Sequence, residues 1–403
     1  MDRNRITTMP DKIVAPTASM NYDVLLHVIS MSSQETGTAL MSTCRLLYHE
    51  GAKFVCRNPA GLETEQRLVS FLTFLSAEAD MIRCRYIRRL DLWIFGMSPA
   101  VAESLINALQ HMHFLESLII SHSELVLASH PDLPQQIAAL KSLKHITLSY
   151  AGPLARTLLL TLQSSLTSAH LHRVPNDPSP ARNFVSADYY HPASLVEKFK
   201  GTLEELRWDC VGSLAQPRPH LLGHGLVFRR VHRLEITDVG DPFLTSCMLT
   251  FPNVTHLTIL PPRSRDSPRG GASWNDPLAG HADATWAHLE EYTGSVERLG
   301  RLNLTVPRLV LREDRASRER QGFAEVLARA CPLDMKIEFA GGEFKENVLQ
   351  LASALQANLT RLDGVIGLSS SNGRDTNLAG VMVCKHDELV HIMLPLTALF
   401  LPQ

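Results

Sequence analysis

The sequence predicts an α/β protein, with a helical hairpin near the N-terminus followed by a curved solenoid of strand–helix units through the rest of its 403 residues. Three observations carry this. A six-residue pattern, apolar-x-x-apolar-x-apolar, recurs as Ile87/Leu90/Leu92, Leu115/Leu118/Ile120, Leu143/Ile146/Leu148, Leu166/Ala169/Leu171, Leu203/Leu206/Trp208, Val231/Leu234/Ile236 and Val254/Leu257/Ile259. Its starts are 28, 28, 23, 37, 28 and 23 residues apart, the spacing of a repeated supersecondary unit. Between the strand-like pieces lie helix-like ones, several opening on proline, which suits a first helical turn.

Residues 1–19 are polar and punctuated by proline, as expected of a disordered leader. The hairpin is expected over 20–60. Val24, Leu25, Val28 and Ile29 follow Asp23 at helical spacing, and Leu40, Met41, Cys44, Leu47 and Tyr48 repeat the spacing after a polar turn around 32–37. Gly51 then permits another turn before Phe54 and Val55. Three short helices cannot bury that much apolar surface among themselves, so part of it is expected to meet a partner.

The body is expected over 61–403. Leu68, Phe71, Leu72 and Leu75 share one helical face between Thr64 and Glu78, and the repeating units begin after it. Ser98-Pro99 reads as a cap and first helical residue, with Val101, Leu105 and Leu109 behind it. Pro134, Pro153 and Pro192 open further helices. Insertions near 173–191 and 261–284 are rich in turn formers. Beyond them the pattern loosens to Leu289/Tyr292/Gly294, Val306/Leu309/Leu311, Leu359/Leu362/Gly364 and Leu389/Ile392/Leu394, with helices expected over 322–330 and 345–357. The tail from Pro395 is expected to fold over the last unit. Stacked units of this kind each bury an apolar edge against the next.

Composition narrows the partners. The formal net charge is -2 with 20% charged residues, which argues against a nucleic-acid binder driven by phosphate contacts. Seven scattered cysteines show no Cys-x-x-Cys and read as reduced, buried small hydrophobes. The first residues lack an apolar signal core, and the longest apolar run, Leu389 to Leu401, is too short to span a bilayer. A protein of the cytosol or nucleus, bound neither to membrane nor to nucleic acid, is the expectation.

At Tyr22-Asp-Val-Leu-Leu26 with Ile29, Leu40-Met41, Thr43-Cys-Arg-Leu-Leu-Tyr48 and Gly51-Ala-Lys-Phe54, the N-terminal stretch resembles the F-box of fungal proteins; Asn21 stands where that family usually has proline. The body resembles the irregular leucine-rich repeats that often follow an F-box, without the usual asparagine after the strand. The resemblance implies that the hairpin docks into a groove of a Skp-family linker protein, and through it onto a cullin-based ubiquitin ligase. Val24, Leu25, Leu26, Ile29, Leu40, Leu46, Leu47 and Phe54 would be the contacts. The chain would then recruit substrates without being an enzyme itself. The alternative is a leucine-rich-repeat scaffold with no ubiquitin link, whose N-terminal helices only cap the stack.

A target protein would meet the outward positions of the strands, since side chains alternate along a strand. These include Arg89, Asp91, Trp93, His145, His170, His172, Arg207, Asp209, Arg233 and Glu235. The mixed signs suit a protein or peptide, with Trp93 as the leading anchor. No cofactor, metal site or catalytic motif is expected. The pair His220 and His224 lacks the glutamate of a zinc-peptidase helix, and no Gly-x-Ser-x-Gly or phosphate-loop signature occurs.

Overall fold

The computed structural model describes residues 21–57, 61–173, 192–210, 226–237, 241–260, 286, 288–302, 304–313, 323–330, 332–339, 364–370, 381–386 and 389–393. The leader, most of both insertions, the helix expected over 345–357, His220, His224 and the tail from Pro395 lie outside them.

The chain opens on α1 (Tyr22–Met31), α2 (Gln34–Met41) and α3 (Arg45–Val55). Asn21 has its own task, because its side-chain oxygen accepts from the Asp23 N–H and caps α1. Two local expectations are corrected. The polar stretch 34–37 is helical, since Ser33 caps α2 and Glu35 lies in its first turn, where the helix dipole favours an acid. Gly51 makes no turn; α3 runs straight through it. A Cβ there would stand 2.7 Å from Met41 Cγ and 3.2 Å from Ile29 Cδ1, so glycine is what lets α1 and α2 close onto α3. Ile29, Met41, Leu47 and Ala52 form this unit's own small core.

Next come α4 (Glu65–Ser76), capped by Thr64, and a 3-10 segment, Ala79–Tyr86, broken by positive φ at Asp80 and Met81. This segment carries Arg83 inward, where it is fully buried. Its guanidinium lies 4.3 Å from the Tyr48 ring centroid and 4.2 Å from that of Phe74. It donates to Tyr48 Oη at 3.1 Å, to the Phe74 carbonyl at 2.9 Å and to Glu78 Oε1 at 2.8 Å. Glu78 also pairs with His49 at 2.7 Å. One side chain thus joins α3 to the start of the body.

The strands are β1 (Arg89–Leu92), β2 (Ser117–Ile120), β3 (His145–Ser149), β4 (Ser168–Arg173), β5 (Glu205–Cys210), β6 (Arg233–Thr237), β7 (His256–Leu260), β8 (Glu291–Gly294), β9 (Arg308–Glu313), β10 (Asp334–Phe339), β11 (Gly364–Ser370), β12 (Val381–His386) and β13 (Leu389–Met393). They form one sheet in which spatial order equals chain order. Every pairing from β1 to β11 is parallel. The repeating apolar pattern is the inward face. Leu90, Leu118, Ile146, Ala169, Leu206, Leu234, Leu257, Tyr292, Leu309 and Met335 stand opposite one another in register and are all buried. They share one core with the helices, among them α5 (Pro99–His111), α7 (Leu133–Ala138) and α8 (Pro153–Thr161). Each fully buried aliphatic contributes about 1.5–3 kcal/mol gross. At β8 a glycine fills an inward slot because the preceding tyrosine needs the room: a Cβ on Gly294 would lie 2.5 Å from Tyr292 Oη.

The far end departs from the expected repeat. The strand β10 was not anticipated, because Pro332 stands where the pattern asks for its leading aliphatic residue. The strand β11 pairs with β10 through Ile366 and Leu368, past the expected Gly364, which pairs with β12; Leu362 lies outside the described residues. The last two pairings, β11–β12 and β12–β13, are antiparallel. Only two residues separate His386 from Leu389, which allows a hairpin and excludes the crossover a parallel pair needs.

One contact between successive units fixes local geometry. Glu124, in α6 (Ser123–Leu127), accepts from the backbone N–H groups of Gly152 at 2.8 Å, Ala155 at 2.9 Å and Leu154 at 3.1 Å. Its carboxylate therefore caps α8 from the preceding unit. A Cβ on Gly152 would fall 2.8 Å from Glu124 Cδ. Glu124→Ala is expected to cost about 1–2 kcal/mol, read as a lower urea midpoint with an unchanged slope.

Candidate functional site

Two surfaces stand out. The first is on the N-terminal helices. Tyr22, Val24, Val28 and Met31 of α1 and Leu46 of α3 are exposed, Met31 to 77%. Leu25, Leu26, Leu40 and Phe54 are half-buried against the hairpin's own core. Two of the proposed contacts are corrected: Ile29 is 3% and Leu47 is 1% exposed, so neither offers surface to a partner. The ridge available for docking is Tyr22, Val24, Val28, Met31 and Leu46.

The second surface is the outward face of the sheet. Its outermost row reads Arg89, Ser117, His145, Ser168, Glu205, Arg233, His256, Glu291, Arg308 and Asp334 across the register. Opposite charges on neighbouring strands pair here: Arg233 with Glu205 at 3.4 Å, and Arg308 with both Glu291 and Asp334 at 3.5 Å. In the next row Arg207 Nε lies 2.8 Å from Glu235 Oε1, an ion pair whose N–H points off the oxygen line and makes no hydrogen bond. Burial pushes the Glu235 carboxyl above its ordinary pKa, against the opposing pull of Arg207 and Arg312. Cross-strand pairs of this kind contribute about 0.2–1 kcal/mol each.

Nearer the C-terminal edges of the strands the chemistry changes from charge to rings. Phe95 stacks on His122 at 4.0 Å, His122 on Tyr150 at 4.5 Å, and Tyr150 meets His172 edge-on at 6.1 Å. His172 Nδ1 is 2.7 Å from Asp209 Oδ2, and Thr237 Oγ1 donates to Asp209 Oδ1 at 2.5 Å. Burial between two rings holds His122 below its ordinary pKa. Tyr150 has φ +55°, a left-handed conformation that a bulky side chain enters only when its surroundings impose it. They do: Ser123 Oγ donates to the Ser149 carbonyl at 2.7 Å, the Ala151 N–H to the His172 carbonyl, and Glu124 holds Gly152.

Beside this ladder lies an open depression of about 330 Å³, lined by Trp93, Ser121, His122, Ser149, Tyr150, His170, His172, Arg207 and Asp209. Trp93 is 51% exposed and lies across Gly61, where a Cβ would meet its ring at 2.8 Å. A bridge between Leu62 and Leu92 holds that approach.

The structure therefore sorts the ten outward residues predicted from sequence. Trp93, His170 and Arg207 line the depression; Arg89, His145 and Arg233 are exposed along the sheet, and Glu235 pairs with Arg207. Asp91 is corrected as a direct target contact, while His172 and Asp209 line the depression with His172 Nδ1 and both Asp209 oxygens already engaged. Asp91 is 7% exposed and held by Arg89, while His172 and Asp209 bind each other and Thr237. Phe95, Ser121, His122 and Tyr150 escaped the sequence reading because they sit just past the strands, outside the alternating register.

Ser149 stands opposite His172 in the β3–β4 register, which brings the residue types of a nucleophilic triad to one edge. Neither Ser149 nor Ser121 hydrogen-bonds to His172, and that contact is what activates a serine. Among the described residues no group of three or more His, Cys, Asp or Glu could hold a metal ion, and no helix is long and apolar enough to cross a membrane. Neither a scan of family models nor a search of curated proteins finds a match to this chain.

Proposed function

We propose that the chain is a substrate-recruiting adaptor of a Skp–cullin–F-box ubiquitin ligase. Its N-terminal helices bind the linker protein, and a leucine-rich-repeat-like solenoid holds the target on its sheet face. The observation that carries the reading is a three-helix unit with its own core, an exposed apolar ridge and a tight junction to the body. A helix face laid into a partner's groove is a standard mode of recognition. The body's contribution is proximity: it holds a target lysine near the ubiquitin carrier and raises the effective concentration. A sheet whose strands follow chain order supports the repeat reading.

The second reading, a leucine-rich-repeat scaffold without a ubiquitin role, is favoured by one observation. Ile29 and Leu47 face inward, as they would in helices that merely cap a stack.

A binding assay with purified Skp-family linker protein separates the two. Val24→Asp combined with Leu46→Asp alters only exposed positions, so folding should be unchanged while binding falls about a hundredfold or more. Leu47→Ala should instead destabilise the hairpin by about 2–5 kcal/mol. A wild-type chain that does not bind the linker protein, or a double variant that binds undiminished, would reject the adaptor.

A further inference from the structure

We propose that the depression beside β1–β5 is a binding site for an oxyanion, a phosphoryl or carboxylate group presented by the target. The inference rests on the sheet face being the target-binding surface; it does not depend on the ubiquitin-ligase role.

The one carboxylate in the lining, Asp209, is 1% exposed, and each of its oxygens already accepts a hydrogen bond, from His172 and from Thr237. What remains around the space is able to donate: the Arg207 guanidinium, which cannot accept, and the Ser121 and Ser149 hydroxyls and the Tyr150 phenol, which can do either. Two of these groups are buried without a hydrogen-bond partner. Ser121 Oγ is one, on a residue 9% exposed that lines the depression; Arg207 Nε is the other, its N–H turned away from Glu235. Unsatisfied buried polar atoms cost stability and are rare in native proteins. Two in one lining, at the same edge as a strained Tyr150, mark a place where a ligand completes the bonding.

The rings narrow the ligand further. Trp93 is half exposed in the lining, while both faces of His122 are covered by Phe95 and Tyr150, which leaves its edge. Ring edges carry partial positive charge and so favour an anion over a cation. A cation would meet Arg207 and a carboxylate already engaged. An oxyanion beside an apolar or aromatic group fits both the donors and Trp93.

The test uses the full chain and two probes, phenyl phosphate and benzoate, with benzylamine as the cationic control. Binding is followed at constant ionic strength by tryptophan fluorescence, and Trp93→Phe identifies the reporting residue. A saturable response to at least one oxyanion is expected, abolished in Trp93→Phe. Affinity should fall about tenfold or more in Arg207→Gln and about tenfold in Ser121→Ala, the effect of losing a hydrogen bond to a charged group. Ser121 Oγ bonds to nothing in the free protein, so Ser121→Ala should melt no lower than wild type, and its weaker binding cannot be blamed on unfolding. Preference for phenyl phosphate assigns the site to a phosphorylated side chain, preference for benzoate to an acidic one. The proposal is overturned by no saturable response to either oxyanion, by benzylamine binding as tightly, or by affinities unchanged in both folded variants. Failure to bind the linker protein would reject the adaptor and leave this result standing.

Discussion

Arg83→Met is expected to lower stability by about 3–5 kcal/mol, the usual cost of removing one partner from a buried ion pair. Methionine can refill part of the gap between Tyr48 and Phe74, but it cannot donate to Glu78, to Tyr48 Oη or to the Phe74 carbonyl. The loss should concentrate where α3 meets the body. Amides of α1–α3 would then exchange hydrogen much faster, while those of β2–β4 change less. An equal rise in exchange across the whole chain would contradict the junction assigned to Arg83. The same cluster sets an acid limit. Burial raises the Glu78 pKa, but hydrogen bonds from His49 and Arg83 outweigh it and hold the carboxyl below its ordinary 4.5. A carboxyl with a lowered folded-state pKa contributes stability above its unfolded value and loses it as pH falls through the folded one. Unfolding midpoints should therefore drop below about pH 4.5, and Glu78→Gln should flatten that part of the profile.

Asp209→Ala is the second large effect, expected at about 3–5 kcal/mol. It strips the acceptor from both His172 and Thr237 in a site from which water is nearly excluded. Asp209→Asn separates charge from hydrogen bonding. Its oxygen can still accept from Thr237, and its amide can donate to His172 Nδ1 once the imidazole proton moves to Nε2. The expected cost is then only about 1 kcal/mol, with the tautomer change visible in the nitrogen chemical shifts of His172. If Asn proves as damaging as Ala, the carboxylate's charge, rather than its hydrogen bonding alone, holds this cluster together.

Much of the architecture was legible because it rests on periodicity. The apolar pattern located β1–β9 and their inward faces, and Thr64, Ser98-Pro99 and Pro153 marked helix starts that the structure shares. These signals are local: an alternating strand and a capped helix announce themselves within a few residues. The failures share a cause as well. Leu46 and Leu47 are adjacent and chemically identical, yet one is exposed and the other sealed, because only the packing of α1 and α2 on α3 decides which side of the helix is covered. Gly51 looked like a turn because its actual service, making room for Met41, depends on a residue ten positions earlier in the chain.

By itself, then, the chain's order of apolar and polar residues determined an α/β fold with a helical start and the identity of its inward face. It could not show which outward residues would be consumed by one another. His172 and Asp209 look like free surface groups until β4, β5 and β6 are set side by side, and the stack from Phe95 to His172 spans four consecutive units. Hydrogen bonds and ring contacts act over a few ångströms, whereas their partners here are separated by more than twenty residues of sequence. Only the sheet brings them within reach, and with that proximity it decides which groups remain to meet a ligand.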